Sequence, residues 1–149
     1  MAEALQGSGM FSLDPAFLAS SEALTSLALS EARLQLDARF AWIVLIPRLG
    51  DKVELEDLTT EEGAMLLSEV VAAGTAVRAI GAALGRPVEK LNVGQLGNLT
   101  RQLHVHIVGR RRDDACWPGP VWGQGVAVAY GAEELEQAQA AALSVLLRS

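Results

Sequence analysis

One cysteine, Cys116, two histidines and one tyrosine are all that this 149-residue chain carries of those residue types. A lone thiol forms no internal disulfide, in keeping with a reducing compartment. Positive charge is also short, with 12 Lys and Arg against 18 Asp and Glu and a net charge of −6. That balance argues against general binding of nucleic-acid polymers or anionic membranes, both of which need a broad basic surface. No apolar run approaching about 18 residues stands out, and residues 1–10 lack the basic start and apolar stretch of a secretory leader. These absences predict a soluble, cytoplasmic protein with no membrane contact. What is plentiful is hydrophobic side chains, 50% of the total. They suffice for a single domain over residues 1–149 that buries roughly 68–70% of its unfolded surface.

Local patterns divide that domain. Asp14 followed by Pro15 is an N-cap with proline at the first helical position, predicting a short helix to about Ala23. From Ala32 to Arg48, Leu34 and Leu36 and then the run Phe40 to Ile46 read as two strands joined by a turn at Asp37, Ala38 and Arg39, with Pro47 closing the second. Thr59 to Glu62 forms a capping box. The Ala- and Leu-rich stretch that follows reaches Leu84 and stops at Gly85, and Met65, Leu66, Glu69, Val70, Ala73, Val77, Ile80 and Leu84 give it one apolar stripe. Val88–Gln95 reads as a third strand, Gly97 and Asn98 as a turn, and Leu103–Gly109 as a fourth strand. Proline and glycine make residues 113–123 irregular, and Ala132–Leu147 has helical spacing with acids in its first turn.

Both histidines fall in the fourth strand, two residues apart. Successive side chains of a strand alternate faces, so Gln102, His104 and His106 share one face and Leu103, Val105 and Ile107 the other. The imidazoles then stand about 7 Å apart along the strand. Around them the charge reverses, since Arg86 to Arg112 holds six cations and a single acid, Glu89, a local +5. Such a patch suits a small phosphate-bearing ligand, with Asp113 and Asp114 adjacent as counter-charges.

Three readings compete for the pair. As metal ligands they lack a third histidine, and Cys116, Asp113 or Asp114 would have to complete the set of a metal-dependent hydrolase. As structural residues they are satisfied polar groups in a half-buried strand. As catalysts, a neutral imidazole attacks phosphorus to form a phosphoramidate, while N–H donors spread the developing charge. Gly97, Asn98 and Gln102 are placed to offer such donors.

Asn92, Gly94, Gly97, Asn98, then Gln102 to Val108 and Arg110, with Trp117 and Pro118 downstream, resemble the histidine triad superfamily of nucleotide hydrolases and transferases. Asp37, Trp42 and Val44 to Pro47 extend the similarity upstream, so that it covers about residues 30–123, with 124–149 as a C-terminal extension. The resemblance implies an α+β fold with an antiparallel sheet of about five strands, a long helix packed on it and a C-terminal helix. It also implies a homodimer and a small-molecule nucleotide substrate cleaved at the α-phosphorus, such as a phosphoramidate or dinucleoside polyphosphate, through a nucleotidyl-histidine. His104 falls on the nucleophile and His106 on the histidine that contacts phosphate or leaving group. Gln102 falls on the first triad histidine. Leu99 stands near a phosphate-binding serine of some members, with Thr100 beside it, and Trp42 and Gly50 replace further histidines. The cysteines of zinc-bearing members are missing, so no metal or other cofactor is expected.

Several residues keep two readings. Asp37 is a ribose ligand or a turn aspartate. Asn92 orients phosphate or satisfies a neighbouring backbone group. Trp117 and Trp122 close the site, stack on a base, or anchor a dimer interface. A nucleotide-binding module or sensor with little catalysis remains the alternative to an enzyme.

Overall fold

The computed structural model describes residues 11–148. The expectation that no leader is present rests on residues 1–10, outside the described residues. Helix α1 (Pro15–Ser20) starts as its sequence predicts, with Pro15 at its first position and the Asp14 carboxylate accepting from the Ala16 amide at 2.9 Å. It ends three residues early, and Ser21–Ser26 forms strand β1, an element absent from the sequence expectation. The reason is local: β1 is an edge strand whose register slips between Ala23 and Thr25, so it lacks the two-residue alternation that betrays a strand.

Strands β2 (Ser30–Gln35) and β3 (Trp42–Pro47) follow, joined by the turn at Asp37. After a short 3₁₀ turn, helix α2 (Thr60–Ala83) begins on the expected capping box, with the Thr59 side chain and the Glu62 amide 3.1 Å apart. Strands β4 (Lys90–Gly94) and β5 (Val105–Arg110) and helix α3 (Ala132–Leu146) complete the order. The sheet is antiparallel throughout and runs β1-β2-β3-β5-β4, so α2 is the connection that carries the chain from β3 past β5 to the far edge.

Parity along the strands sorts the two cores. Ile43, Leu45, Val105 and Ile107 point to the face covered by α2 and α3 and pack with Ala73, Val77, Ile80, Ala138 and Ala142. Trp42, Val44, Ile46 and Val108 point to the other face, where Phe17, Phe40 and Val121 join them. Fully enclosing one aliphatic side chain of this kind contributes about 1.5–3 kcal/mol. The expectation of no membrane-length apolar segment needs correction, because the 24-residue α2 is long and apolar enough to cross a membrane by length and composition. Its packing is that of a core helix: Ala73, Ala76, Val77 and Ile80 are completely enclosed by the sheet and α3. Glu69, on the same stripe, enters the core because its Oε2 accepts from the Leu29 amide at 2.7 Å.

Candidate functional site

His106 lies opposite Val44 in the β3–β5 ladder, on the face away from α2. His104 precedes β5 by one residue, and the two rings stand edge-on with centroids 4.9 Å apart, closer than spacing along a strand gives. Both border a cleft of about 460 Å³, within the range of sites that take small molecules. Phe17 and Ser20 of α1, Gln35 of β2, Leu96–Thr100 and Trp122 also line it. Trp122 can lie across β4 because residue 94 is glycine: a Cβ there would stand 2.8 Å from the indole.

Each imidazole has one nitrogen committed to the protein, in opposite senses. His104 Nδ1 is 2.7 Å from the Gln102 carbonyl oxygen, which can only accept, so Nδ1 carries the proton and Nε2 keeps its lone pair. His106 Nδ1 accepts from the Trp42 indole N–H at 3.0 Å, so in the neutral ring the proton sits on Nε2. The nitrogens left for a ligand are therefore an acceptor on His104 and a donor on His106. Burial keeps both rings neutral: it lowers the His104 pKa below 6.5, and burial followed by the nearness of His104 brings His106 to about 4. The cleft thus holds an acceptor nitrogen on one imidazole beside a donor nitrogen on the other.

The loop between β4 and β5 supplies more donors. Gly97 has φ +80°, a conformation that favours glycine. Among the described residues, the amides of Gly97, Asn98, Leu99 and Thr100 meet no acceptor. A short run of free amides bent around a left-handed glycine is a concavity suited to anionic oxygens. Leu99 borders the cleft with its side chain fully exposed.

The other sequence candidates sit elsewhere. The Gln102 side chain turns away from the cleft: its Oε1 accepts from the Asp14 amide and its Nε2 donates to the Ser12 carbonyl, both at 2.9 Å. The expected common face of Gln102, His104 and His106 therefore holds for the histidines alone, because regular β5 begins only at Val105. Asp37 is buried in its turn, accepting from Arg39 at 2.9 Å and from the Val128 amide at 3.2 Å. Burial raises its pKa, but these partners prevail and the net shift is downward. The Asn92 oxygen accepts from Arg110 at 2.8 Å, and Trp117 packs over the same guanidinium at 5.6 Å.

Half of the six cations of the basic segment are held in ion pairs, contrary to the segment's expected role around the histidines. Arg86 pairs with Glu134, Arg110 with Asp114 and Arg111 with Asp113. Among the described residues no Asp, Glu, Lys or Arg side chain lines the cleft. Arg110 is fully buried, and its two bonds to Asp114, 2.8 and 3.1 Å, tie β5 to the loop after it. Burial pushes the Asp114 carboxyl up, yet Arg110 and the Arg111 and Cys116 amides outweigh it and hold the pKa at about 2. Among the described residues no three His, Cys, Asp or Glu side chains are grouped to hold a metal ion.

Residues 19–113 match the family model for the HIT domain. The chain belongs to the HIT, or histidine triad, family. HIT proteins in general bind or hydrolyse nucleotides. Three solved histidine triad proteins are similar to this one over nearly their whole length. That of Bradyrhizobium japonicum is 35% identical with a TM-score of 0.86, covering 93% of this chain and 99% of its own. That of Sinorhizobium meliloti 1021 is 38% identical with a TM-score of 0.83, covering 93% and 100%. That of Marinobacter aquaeolei VT8 is 32% identical with a TM-score of 0.84, covering 94% and 98%. No curated protein matches the chain. In this HIT protein the sequence reading missed Phe17 and Gln35 as cleft walls, and it weighed Trp122 without choosing it over Trp117. Trp42 was read as a strand residue in the place of a family histidine and not as a site residue; the sign overlooked was that an indole N–H, a donor only, sets the tautomer of whatever ring it meets.

Proposed function

We propose that this HIT protein is a nucleotide hydrolase or nucleotidyl transferase that works through a covalent nucleotidyl-His104. The observation that carries the reading is the opposed tautomers of His104 and His106 in one cleft. In the first step the His104 Nε2 lone pair forms a bond to the α-phosphorus, and the bond from phosphorus to the leaving group breaks, that group taking the electron pair. The Gln102 carbonyl on Nδ1–H favours the positive charge this places on the ring. His106 Nε2–H donates to the phosphate or to the departing atom, and the amides of Gly97 to Thr100, with the Asn98 side chain, hold the remaining oxygens. Water or another acceptor then displaces the nucleotide and restores neutral His104. Phosphoramidates and dinucleoside polyphosphates are the substrate classes to try.

The deciding experiment uses His104→Ala. Turnover is expected to fall by about 10³-fold or more while AMP still binds, and mass spectrometry of the parent at neutral pH is expected to find the nucleotide on His104. Turnover within tenfold of the parent contradicts the mechanism, and AMP binding without adduct or product makes the protein a sensor.

The same reading includes a homodimer. Among the described residues no strand pairs with the outer edge of β4, and Val93 on it and Leu67 and Val71 on the adjacent face of α2 are all more than half exposed. A second copy pairing along β4 covers both the edge and these side chains. Light scattering is expected to give twice the 15.8 kDa chain mass.

A further inference from the structure

We propose that Gln102, in the slot of the first triad histidine, is a positioning residue: its amide docks Ser12–Asp14, so that α1 stands as the wall of the cleft beside His104. A side-chain amide carries a donor and an acceptor on one rigid plane, as a peptide group does. Gln102 uses both on a single stretch of chain, accepting from the Asp14 N–H and donating to the Ser12 C=O, the pairing that a neighbouring strand would offer. The two backbone partners also fix which end of the amide is oxygen. An imidazole has the same two functions on diverging sides of a ring, so it cannot meet residues 12 and 14 together in this way.

The consequence passes through Asp14 to the site. Asp14 caps α1 through the Ala16 amide, and its carbonyl accepts from the Phe17 amide at 3.0 Å, so fixing Asp14 fixes the first turn. Phe17 then lies edge-on to the His104 ring with centroids 4.9 Å apart, and Ala16, Phe17 and Ser20 form the α1 side of the cleft. Ahead of Pro15, no other side chain from outside the segment hydrogen-bonds to the described residues. Gln102 therefore acts twice on the nucleophile: its backbone carbonyl holds His104 Nδ1, and its side chain holds the wall that His104 packs against. Only the second action depends on the side chain being glutamine.

The docking role stands on these contacts, while its effect on turnover rests on the nucleotide reading above. The test compares Gln102→Ala and Gln102→Glu with the parent by hydrogen exchange and by steady-state kinetics on a nucleoside phosphoramidate. Glutamate keeps the size and the acceptor but loses the donor, so it serves if the alanine variant fails to fold. The expected result is exchange at Phe17 to Ser20 faster by about tenfold, together with a KM raised about tenfold and kcat within about threefold. A kcat reduced a hundredfold at unchanged KM, or unaltered exchange over α1 in both variants, overturns the proposal. If the parent turns over no nucleoside phosphate, the nucleotide mechanism fails and the exchange result alone decides the docking role.

Discussion

Replacing Trp42 by phenylalanine isolates the one hydrogen bond that orients His106. Trp42 is buried on β3, its N–H 3.0 Å from His106 Nδ1, and its ring also stands edge-on to His106 at 5.5 Å and to Trp122 at 6.4 Å. Phenylalanine keeps an aromatic ring in place and deletes the donor. A buried acceptor left without its partner costs about 1–3 kcal/mol. A loss near 2 kcal/mol corresponds to a Tm lower by about 4–8 °C in a domain of this size. The chemical effect is more specific. With no indole N–H facing Nδ1, the proton of neutral His106 is free to sit on either nitrogen, and molecules with it on Nδ1 present a second acceptor to the phosphate. We expect kcat to fall about tenfold, equivalent to about 1.4 kcal/mol of transition-state stabilisation, with KM nearly unchanged. Nitrogen-15 NMR of the imidazoles checks the cause directly, because the parent should show Nε2–H for His106 and Nδ1–H for His104. Unchanged kcat together with an unchanged His106 tautomer in Trp42→Phe would refute the reasoning.

Two further outcomes follow from the buried charges and imidazoles. Arg110→Met strands the Asp114 carboxylate, and a stability loss of about 3–5 kcal/mol is expected in urea unfolding; adding Asp114→Leu should restore much of it, and no restoration would mean that the pair is not what ties the loop to β5. For pH dependence, His106 has a folded pKa of about 4 against 6.5 for the free side chain, so the unfolded chain takes up the proton first. The stability it protects is complete above pH 6.5 and declines as pH falls from 6.5 towards 4, by up to about 1.4 kcal/mol per unit, with His104 acting in the same direction. Asp114 is shifted in the same direction in a lower window, its contribution present above pH 3.8 and lost as pH falls through about 2. Urea midpoints measured at pH 7, 6 and 5 should therefore drop from each pH to the next, and equal midpoints would place the imidazoles in solvent.

Every α-helix and strand but β1, and the strand face shared by the two histidines, were legible in the sequence. Asp14–Pro15, the Thr59 capping box and Gly85 mark helix ends through contacts within a few residues, and strand parity puts His104 and His106 opposite the Ile43, Leu45 and Ile107 core. Local rules reach that far because caps and alternation are properties of neighbouring residues. Strand β1 escaped them, since an edge strand with a register slip has no period to read. The partner of each polar group was decided only by tertiary structure. Trp42 meets His106 across 64 residues, and Gln102 meets Ser12 and Asp14 across 90 and 88. Asp37 and Asn92, both plausible ligand contacts by type, are consumed by Arg39, Val128 and Arg110. The six cations near the histidines suggested a phosphate cradle, yet acids from the same loop and from α3 pair three of them, and among the described residues none of the six lines the cleft. A side chain's type fixes how many bonds it can make, but which bonds it makes, and so whether it faces a ligand or the protein, is set when distant strands come into register.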